Sequence, residues 1–338
     1  MTELESAWAE LERDQQAREG VTARRILPRA HCSIWAALER PGDIRALFIE
    51  VPAMAIEGNV QLPVARGFEV RVLPVRPGPH GDVRLMLSIG DMAYRDVFAV
   101  MAEDLTGHLA TVEDHRRAVR VFLERLTRWQ AFFQRQSSDG LGEEEQRGLY
   151  GELWFLRHHL TLAVGAAAAI QSWTGPTAAN QDFQCAAVAY ETKTAVANPP
   201  QKLHVANVRQ LDRTGLDALF VFHLSIDQRQ GSGESLVQMI EAVRGLAIQA
   251  GTGSMVELND KLLAAGYLDL HALRYQRVGY TRRQHHFYHV RDGFPCIVER
   301  DLKTGVGDVR YTIAVAACQP FEVGDDAAMA AVKGATNG

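Results

Sequence analysis

The stretch Gln181-Asp182-Phe183-Gln184-Cys185-Ala186-Ala187-Val188-Ala189-Tyr190-Glu191-Thr192-Lys193-Thr194 decides how this chain is read. Its apolar and β-branched residues predict two strands, at about 181–185 and 188–196, joined by one hairpin. Side chains alternate along a strand, so residues two apart share a face. Glu191 and Lys193 therefore stand side by side, Thr192 points the other way, and the hairpin returns Asp182 to the neighbourhood of Glu191. Two carboxylates so placed form a hard oxygen site for Mg²⁺, with Mn²⁺ expected to substitute. A metal held by Asp182 and Glu191 polarises a phosphoryl oxygen and lowers the pKa of a water nucleophile. Lys193 orients that water or offsets the charge that builds in the transition state. The chemistry implied is metal-dependent phosphodiester hydrolysis.

Working outward, residues 143–164 carry a helical stripe of Leu149, Leu153, Leu156 and Leu160. Glu152 sits among Leu149, Leu153 and Phe155, so a helix packed on the sheet aims a third acid at the same site. The competing reading is an ordinary helix-surface acid. A helix at about 205–211 and an apolar strand at 218–226 complete an α/β unit over 143–232. Helices at 234–250 and 256–264 follow, then a β-leaning segment at 284–290 and 309–316. These form an α+β C-terminal extension, 233–325, packed on the core. Residues 326–338 are expected to be a disordered tail.

Upstream, 1–136 reads as a β-rich N-terminal module with flanking helices. A helix is expected at 3–19, with Leu4, Trp8 and Leu11 on one side, and strands at 46–51, 68–75, 83–89 and 94–100. RPGPHG (76–81) reads as a turn, and SSDGLG (137–142) as the linker. A long helix at 112–136 carries Arg116, Arg117, Arg120, Arg125, Arg128 and Arg135 on its polar side. Interleaved acids favour a solvated face there over a DNA-contacting one.

Bulk properties narrow the function classes. The chain has 338 residues and a net charge of −5, which argues against a nonspecific nucleic-acid coat protein. A local basic groove coexists with an acidic total, so a nuclease stays open. No apolar run has the length needed to span a bilayer, and the acidic helical start (Glu3, Glu5, Glu10, Glu12) is unlike a signal peptide. The expectation is a cytoplasmic protein with no membrane partner. Cys32, Cys185, Cys296 and Cys318 are scattered, so neither a disulfide framework nor a zinc ribbon is indicated. Of 36 Lys plus Arg, only Lys193, Lys202, Lys261, Lys303 and Lys333 are lysines. A lysine here is therefore more telling than an arginine, as a compact and adjustable ammonium.

Several further motifs compete for attention. Asp301-Leu302-Lys303, with Asp292 nine residues upstream, repeats the acid-x-lysine spacing, but it runs into the turn TGVGD and no apolar-flanked helical acid precedes it closely. The HHFYH cluster (His285, His286, His289) suits zinc only as a helix. Its aromatic surroundings predict a strand, read as pointing the histidines to opposite faces, and no cysteine lies near. No metal is expected there. Arg274, Arg277, Arg282, Arg283 and Arg291, together with Lys202 and Arg209, are candidate DNA-backbone contacts, with a solvated surface as the blander reading. His204 is an accessory candidate for approaching a phosphate, against a cap or surface role. Gly231 and Gly233 lack the G-K-[ST] of a P-loop and read as linker.

GLYGELWFL (148–156), SWTGP (172–176), QDF (181–183), YETKT (190–194) and HVANVRQLD (204–212) together resemble a bacterial family of PD-(D/E)XK motif proteins, relatives of restriction endonucleases. GESL (233–236), LLAAGY (262–267) and DVRYTI (308–313) resemble that family's C-terminal half. The resemblance implies a restriction-endonuclease-like mixed-sheet core flanked by helices, α/β in its core and α+β overall. It implies Mg²⁺-dependent DNA endonuclease activity within a bacterial restriction or anti-phage defence system, with other defence-system proteins as partners and a homodimer by analogy. Asp182, Glu191 and Lys193 match the motif, with Glu152 as the helical acid and Gln210 as an accessory residue near the metal water, against a purely structural glutamine as the competing reading. One departure is Gln181, where the motif's name suggests Pro. The alternative reading is a catalytically silent DNA- or protein-binding subunit on a nuclease fold. A third is a nuclease that stays idle until partners recognise a target.

Overall fold

Alternating apolar residues build the first of two units, Met1–Asp139, around a five-stranded antiparallel sheet. The computed structural model describes residues 2–14, 18–56, 61–75, 81–135, 138–196 and 200–336. The unit comprises α1 (Glu3–Arg13), β1 (Gly20–Ile26), β2 (Ser33–Arg40), β3 (Ile44–Pro52), β4 (Phe68–Pro74), β5 (Asp82–Ile89), α2 (Arg95–Leu109) and α3 (His115–Arg135), with sheet order β1-β2-β3-β5-β4. Trp8 of α1 is fully buried, and its indole N–H donates to the Ala37 and Ala46 carbonyls at 3.1 and 3.0 Å.

Two strands, β1 and β2, lie where none is expected, and the strand expected at 94–100 is the start of α2. Asp91 caps the preceding turn through the Ala93 N–H, and Val97, Phe98, Met101 and Leu105 then bury at helical spacing. On α3, Arg116, Arg117, Arg120, Arg128 and Arg135 are exposed, as a solvated face requires. Arg125 is instead buried, forked onto Asp104 at 2.9 and 2.7 Å, and Trp129 N–H donates to the same carboxylate. Most of the expected turn at 76–81 lies outside the described residues.

The second unit, Gly140–Gly338, begins inside the expected linker, where Leu141 is already buried. It contains α4 (Glu143–Phe155), a π turn (Leu156–Leu160), α5 (Thr161–Val164), α6 (Ala166–Ser172), β6 (Phe183–Cys185), β7 (Val188–Val196), β8 (Lys202–Val205) and β9 (Ala218–Gln230). There follow β10 (Glu234–Ser235), α7 (Leu236–Ala250), α8 (Thr252–Ala264), α9 (Ala272–Tyr275), β11 (Val278–His289), β12 (Tyr311–Ala314), α10 (Val315–Cys318), β13 (Glu322–Val323) and α11 (Asp325–Thr336).

Its main sheet runs β10-β11-β9-β7-β6, with β13 also on β11. β7 and β9 are parallel while β6 and β11 are antiparallel to them, so the core is the expected mixed sheet flanked by helices. One face, with Tyr190, Phe222, Leu224 and Phe287, packs on residues of α4, α6, α7 and α11. The other, with Ala189, Leu219, Val221 and Tyr288, packs on Leu203, Val205 and Ile313 of the small β8–β12 sheet.

Three expectations are corrected here. Residues 205–211 are not a helix but the end of β8 and a run of turns. Asn207 Oδ1 accepts from the Arg209 N–H and Gln210 Oε1 from the Ala206 N–H, local side-chain bonds that compete with a helical ladder. The segment 233–325 does not pack on a finished core, because its β11 pairs with β9 from Val278 to His289. The tail is helical rather than disordered as far as it is described: α11 reaches Thr336, buries Ala328, Met329 and Val332, and accepts the Tyr190 hydroxyl at the Ala328 carbonyl, 2.7 Å away. Asp325 and Asp326 in its first turn complement the helix dipole.

The approach of α4 to β7 depends on Gly151, where a Cβ would overlap the Thr194 hydroxyl. Gly151→Ala is expected to cost about 1–3 kcal/mol through overpacking, read by urea denaturation. Gly148→Ala on the same helix faces open space and is expected to stabilise by roughly 0.5–1 kcal/mol, the helix-propensity gain.

Candidate active site

The β6–β7 hairpin places its chemistry by register alone. Phe183 pairs with Tyr190, so Asp182 lies opposite Glu191, and Asp182 Oδ2 accepts the Thr192 N–H at 2.7 Å. Glu191 and Lys193 share one face of β7, and Lys193 Nζ donates to Glu191 Oε1 at 2.7 Å and to Gln210 Oε1 at 3.1 Å. Glu191 is 1% exposed, and its Oε2 is buried without a hydrogen-bond partner.

Glu152 reaches the same point from α4. Its Oε2 accepts the Trp173 indole N–H at 2.7 Å. A Cβ on Gly175 would lie 2.9 Å from Asp182 Oδ1 and 3.3 Å from Glu152 Oε2, so that glycine leaves open the space on which two carboxylates converge. The SWTGP segment thus serves both acids: Trp173 holds Glu152, while the Thr174 and Gly175 N–H groups donate to the Asp182 carbonyl at 2.8 and 2.9 Å.

The electrostatics follow from crowding in a desolvated place. Burial pushes the Glu191 carboxyl up to about 8, with Asp182 adding to the rise and Lys193 opposing it. Glu152 is held well above the usual carboxylate range by burial and by the charge on Asp182. Burial also raises Asp182, against the pull of Lys193 and the Thr192 N–H. For Lys193, burial disfavours the ammonium, but Glu191 and Asp182 outweigh it and the net shift is upward.

A divalent cation fits this set. Three carboxylates face one ammonium, so when all are ionised two negative charges are unbalanced, and the unpartnered Glu191 Oε2 and the space beside Gly175 offer hard oxygen ligands. Asp182, Glu191 and Glu152 are the residues that would hold it.

Other expected residues divide. Gln210 is at the site, joined to Lys193. Arg209 stands next to it, paired with Glu299 at 3.2 Å, on the rim of a cleft of about 680 Å³ lined also by Asn180, Asn207 and Lys303. His204 and Lys202 are exposed on β8 and touch none of the carboxylates. Arg282 is not brought to the site: it lies over the Trp154 ring and contacts His285, beyond the face that carries Glu191. Arg283 is paired with Asp227.

The second acid-x-lysine set does not assemble. Asp301 Oδ2 accepts from the Val298 N–H, and Asp292 pairs with Arg213. The HHFYH segment is a strand, so His285 and His289 share a face rather than opposing one another as expected. About 3.4 Å of rise per residue separates them by roughly 14 Å. His289 stacks on Phe220, and His286 pairs with Glu322 at 2.7 Å.

Sequence reasoning missed Gln181. It is 4% exposed, and its amide N–H₂ donates to the Arg209 and Gln210 carbonyls at 3.1 and 3.3 Å, fastening the turn that carries Gln210 to the motif strand. No spacing in the sequence announces that contact. His223 was also missed. It is fully buried beside Lys193 in the parallel register, and burial brings it down to about 4, so it is neutral.

A mixed sheet with an acid, acid and lysine set on its motif hairpin places the chain in the nuclease-like α/β class. The chain belongs to the family described as "Putative PD-(D/E)XK family member" (DUF4420), whose model matches residues 4–316. Comparison with the curated proteins and with the solved structures gives no match.

The raised Glu191 sets a pH dependence. The folded state holds this proton up to about pH 8, whereas an ordinary glutamate loses it near 4.5. The folded state therefore binds more protons across that window, and stability falls as pH rises through it. In EDTA, wild type is expected to lose stability between about pH 5 and pH 8. Glu191→Gln should flatten the slope, and Mg²⁺ should offset the loss at pH 8, all read by denaturation midpoints.

Proposed function

We propose that this chain is a Mg²⁺-dependent DNA endonuclease whose centre is Asp182, Glu191, Lys193 and Glu152. The observation that carries this reading is the convergence on a single lysine of three carboxylates, Glu191 buried with an unpartnered oxygen and Asp182 and Glu152 half-buried. A divalent cation held there supplies Lewis acidity toward a phosphoryl oxygen. Lys193 carries the positive charge that offsets negative charge developing on the phosphorus. Gln210 and Glu191 hold that ammonium from two sides, which limits its motion, and Gln181 in turn fixes Gln210. Glu152, half-buried and hydrogen-bonded to Trp173, serves as the third oxygen donor or as a proton reservoir.

DNA as substrate, action within a restriction or defence system alongside partner proteins, and a homodimer that cuts both strands are parts of this proposal supported by the family resemblance. The cleft lined by Arg209 and Lys303 adjoins the turn that carries Gln210, which supports it as the path of a phosphodiester backbone.

Purified wild type is expected to nick supercoiled plasmid with Mg²⁺ or Mn²⁺ and not with EDTA. Lys193→Ala should lower the rate by about 10²–10³-fold, the loss typical for one transition-state charge stabiliser, and Asp182→Ala should abolish it. Absence of nicking under every metal, with DNA binding indifferent to EDTA, would turn the assignment to a silent binding subunit.

A further inference from the structure

Beyond the sheet face that carries Glu191, three separated segments bring together a different kind of donor set. His159 comes from the π turn after α4, His285 from β11, and Asp325 from the first turn of α11. One ligand atom from each lies within 4.8 Å of the others. His285 Nε2 is 2.9 Å and His159 Nδ1 3.9 Å from Asp325 Oδ2, and the imidazole centroids are 5.0 Å apart.

We propose that His159, His285 and Asp325 bind a divalent cation of the zinc class, at a site separate from the carboxylate centre. Two imidazoles and one carboxylate are zinc-type donors, whereas Mg²⁺ selects oxygen. Ligand atoms about 2.0–2.1 Å from a tetrahedral zinc stand about 3.3 Å from one another. The observed 2.9 and 3.9 Å to Asp325 bracket that value, and with all three ligand atoms within 4.8 Å of one another closure is reached by side-chain shifts alone.

The surroundings support an ion rather than a chance contact. His159 is 10% exposed at its side chain, walled by Phe222 and Phe287 with ring centroids at 5.4 and 5.1 Å. Its Nε2 is buried without a hydrogen-bond partner, which leaves Nδ1 as the nitrogen that faces polar company. Asp325 is half exposed, which leaves the fourth position open to water. The π turn, where the Thr161 N–H bonds back to the Leu156 carbonyl, is the kind of helix irregularity that clusters at functional sites.

One neighbour opposes the ion. Arg282 contacts His285 Nδ1 at 3.1 Å. Coordination through Nε2 puts the proton on Nδ1, so the exposed Arg282 must turn away. The nearby Arg157 is already neutralised by Glu234 at 2.7 Å. The ion would pin α11 and the end of the α4 run to β11. This site does not depend on the chain being a nuclease.

The test is titration of the metal-stripped full chain with Co²⁺, followed by its visible d–d bands, with Zn²⁺ competition and excess Mg²⁺ present. One equivalent is expected to bind and to raise the melting temperature. His159→Ala and His285→Gln should each weaken uptake about 100-fold or more, since even outer partners of a metal site carry 10–100-fold. Glu191→Ala should retain uptake, and Arg282→Ala should tighten it. Circular dichroism verifies the fold of each variant, and Arg282→Ala leaves all three ligands in place. Absence of uptake in wild type and Arg282→Ala, uptake indifferent to both histidines, or uptake lost with Glu191 would each overturn the proposal.

Discussion

Three carboxylates crowded against one ammonium, with Glu191 fully buried and Asp182 and Glu152 half-buried, form the constraint on which the second unit depends. Each charge is costly to bury alone, and the lysine balances only one. The protein meets this by keeping Glu191 and Glu152 protonated more readily than ordinary glutamates and by giving Asp182 a backbone N–H. Carboxyls raised in this way tie the stability of the unit to pH.

Close backbone approach makes the arrangement geometrically possible. Gly151 lets α4 settle onto Thr194, which brings Glu152 within reach of the sheet. Gly175 keeps the SWTGP turn from filling the space between Glu152 and Asp182. Around them stands a supporting layer of hydrogen bonds. Trp173 fixes Glu152, Thr174 and Gly175 fix the Asp182 backbone, and Gln181 fixes the turn that carries Gln210. Gln181 also explains the departure from the motif's usual proline: the side chain that replaces it has a positioning task a proline could not perform.

The scarcity of lysine has a partial counterpart in the structure. Lys193 lies in the carboxylate cluster, as a compact ammonium should. Lys261 uses the same property differently: buried at 8% exposure, it donates to the Ile170 and Gln171 carbonyls at the end of α6. A lysine's rarity thus marks positions that need a point charge, without saying whether the need is chemical or structural.

Local pattern made much of the core legible. Period-two alternation located the 181–185 and 188–196 strands and paired Glu191 with Lys193, and an apolar stripe located the α4 helix and its acid. Wherever the answer lay in contacts between distant segments, local pattern was silent or misled. Residues 205–211 carried a helical signal that Asn207 and Gln210 cancel with their own backbone bonds. The tail looked too small-residued to order, yet it gains order from burial against Tyr190. β11 was read as part of an appendage because nothing local shows which strand it will pair with. The amino-acid sequence by itself determined the acid, acid and lysine set, because strand periodicity is a property of neighbouring residues. Only the tertiary structure decided that Gln181 braces Gln210, that Gly175 leaves open the space between two acids, and that His285 meets His159 and Asp325 rather than His289. Those contacts join residues separated by tens of positions, and packing, not spacing, sets which of them meet.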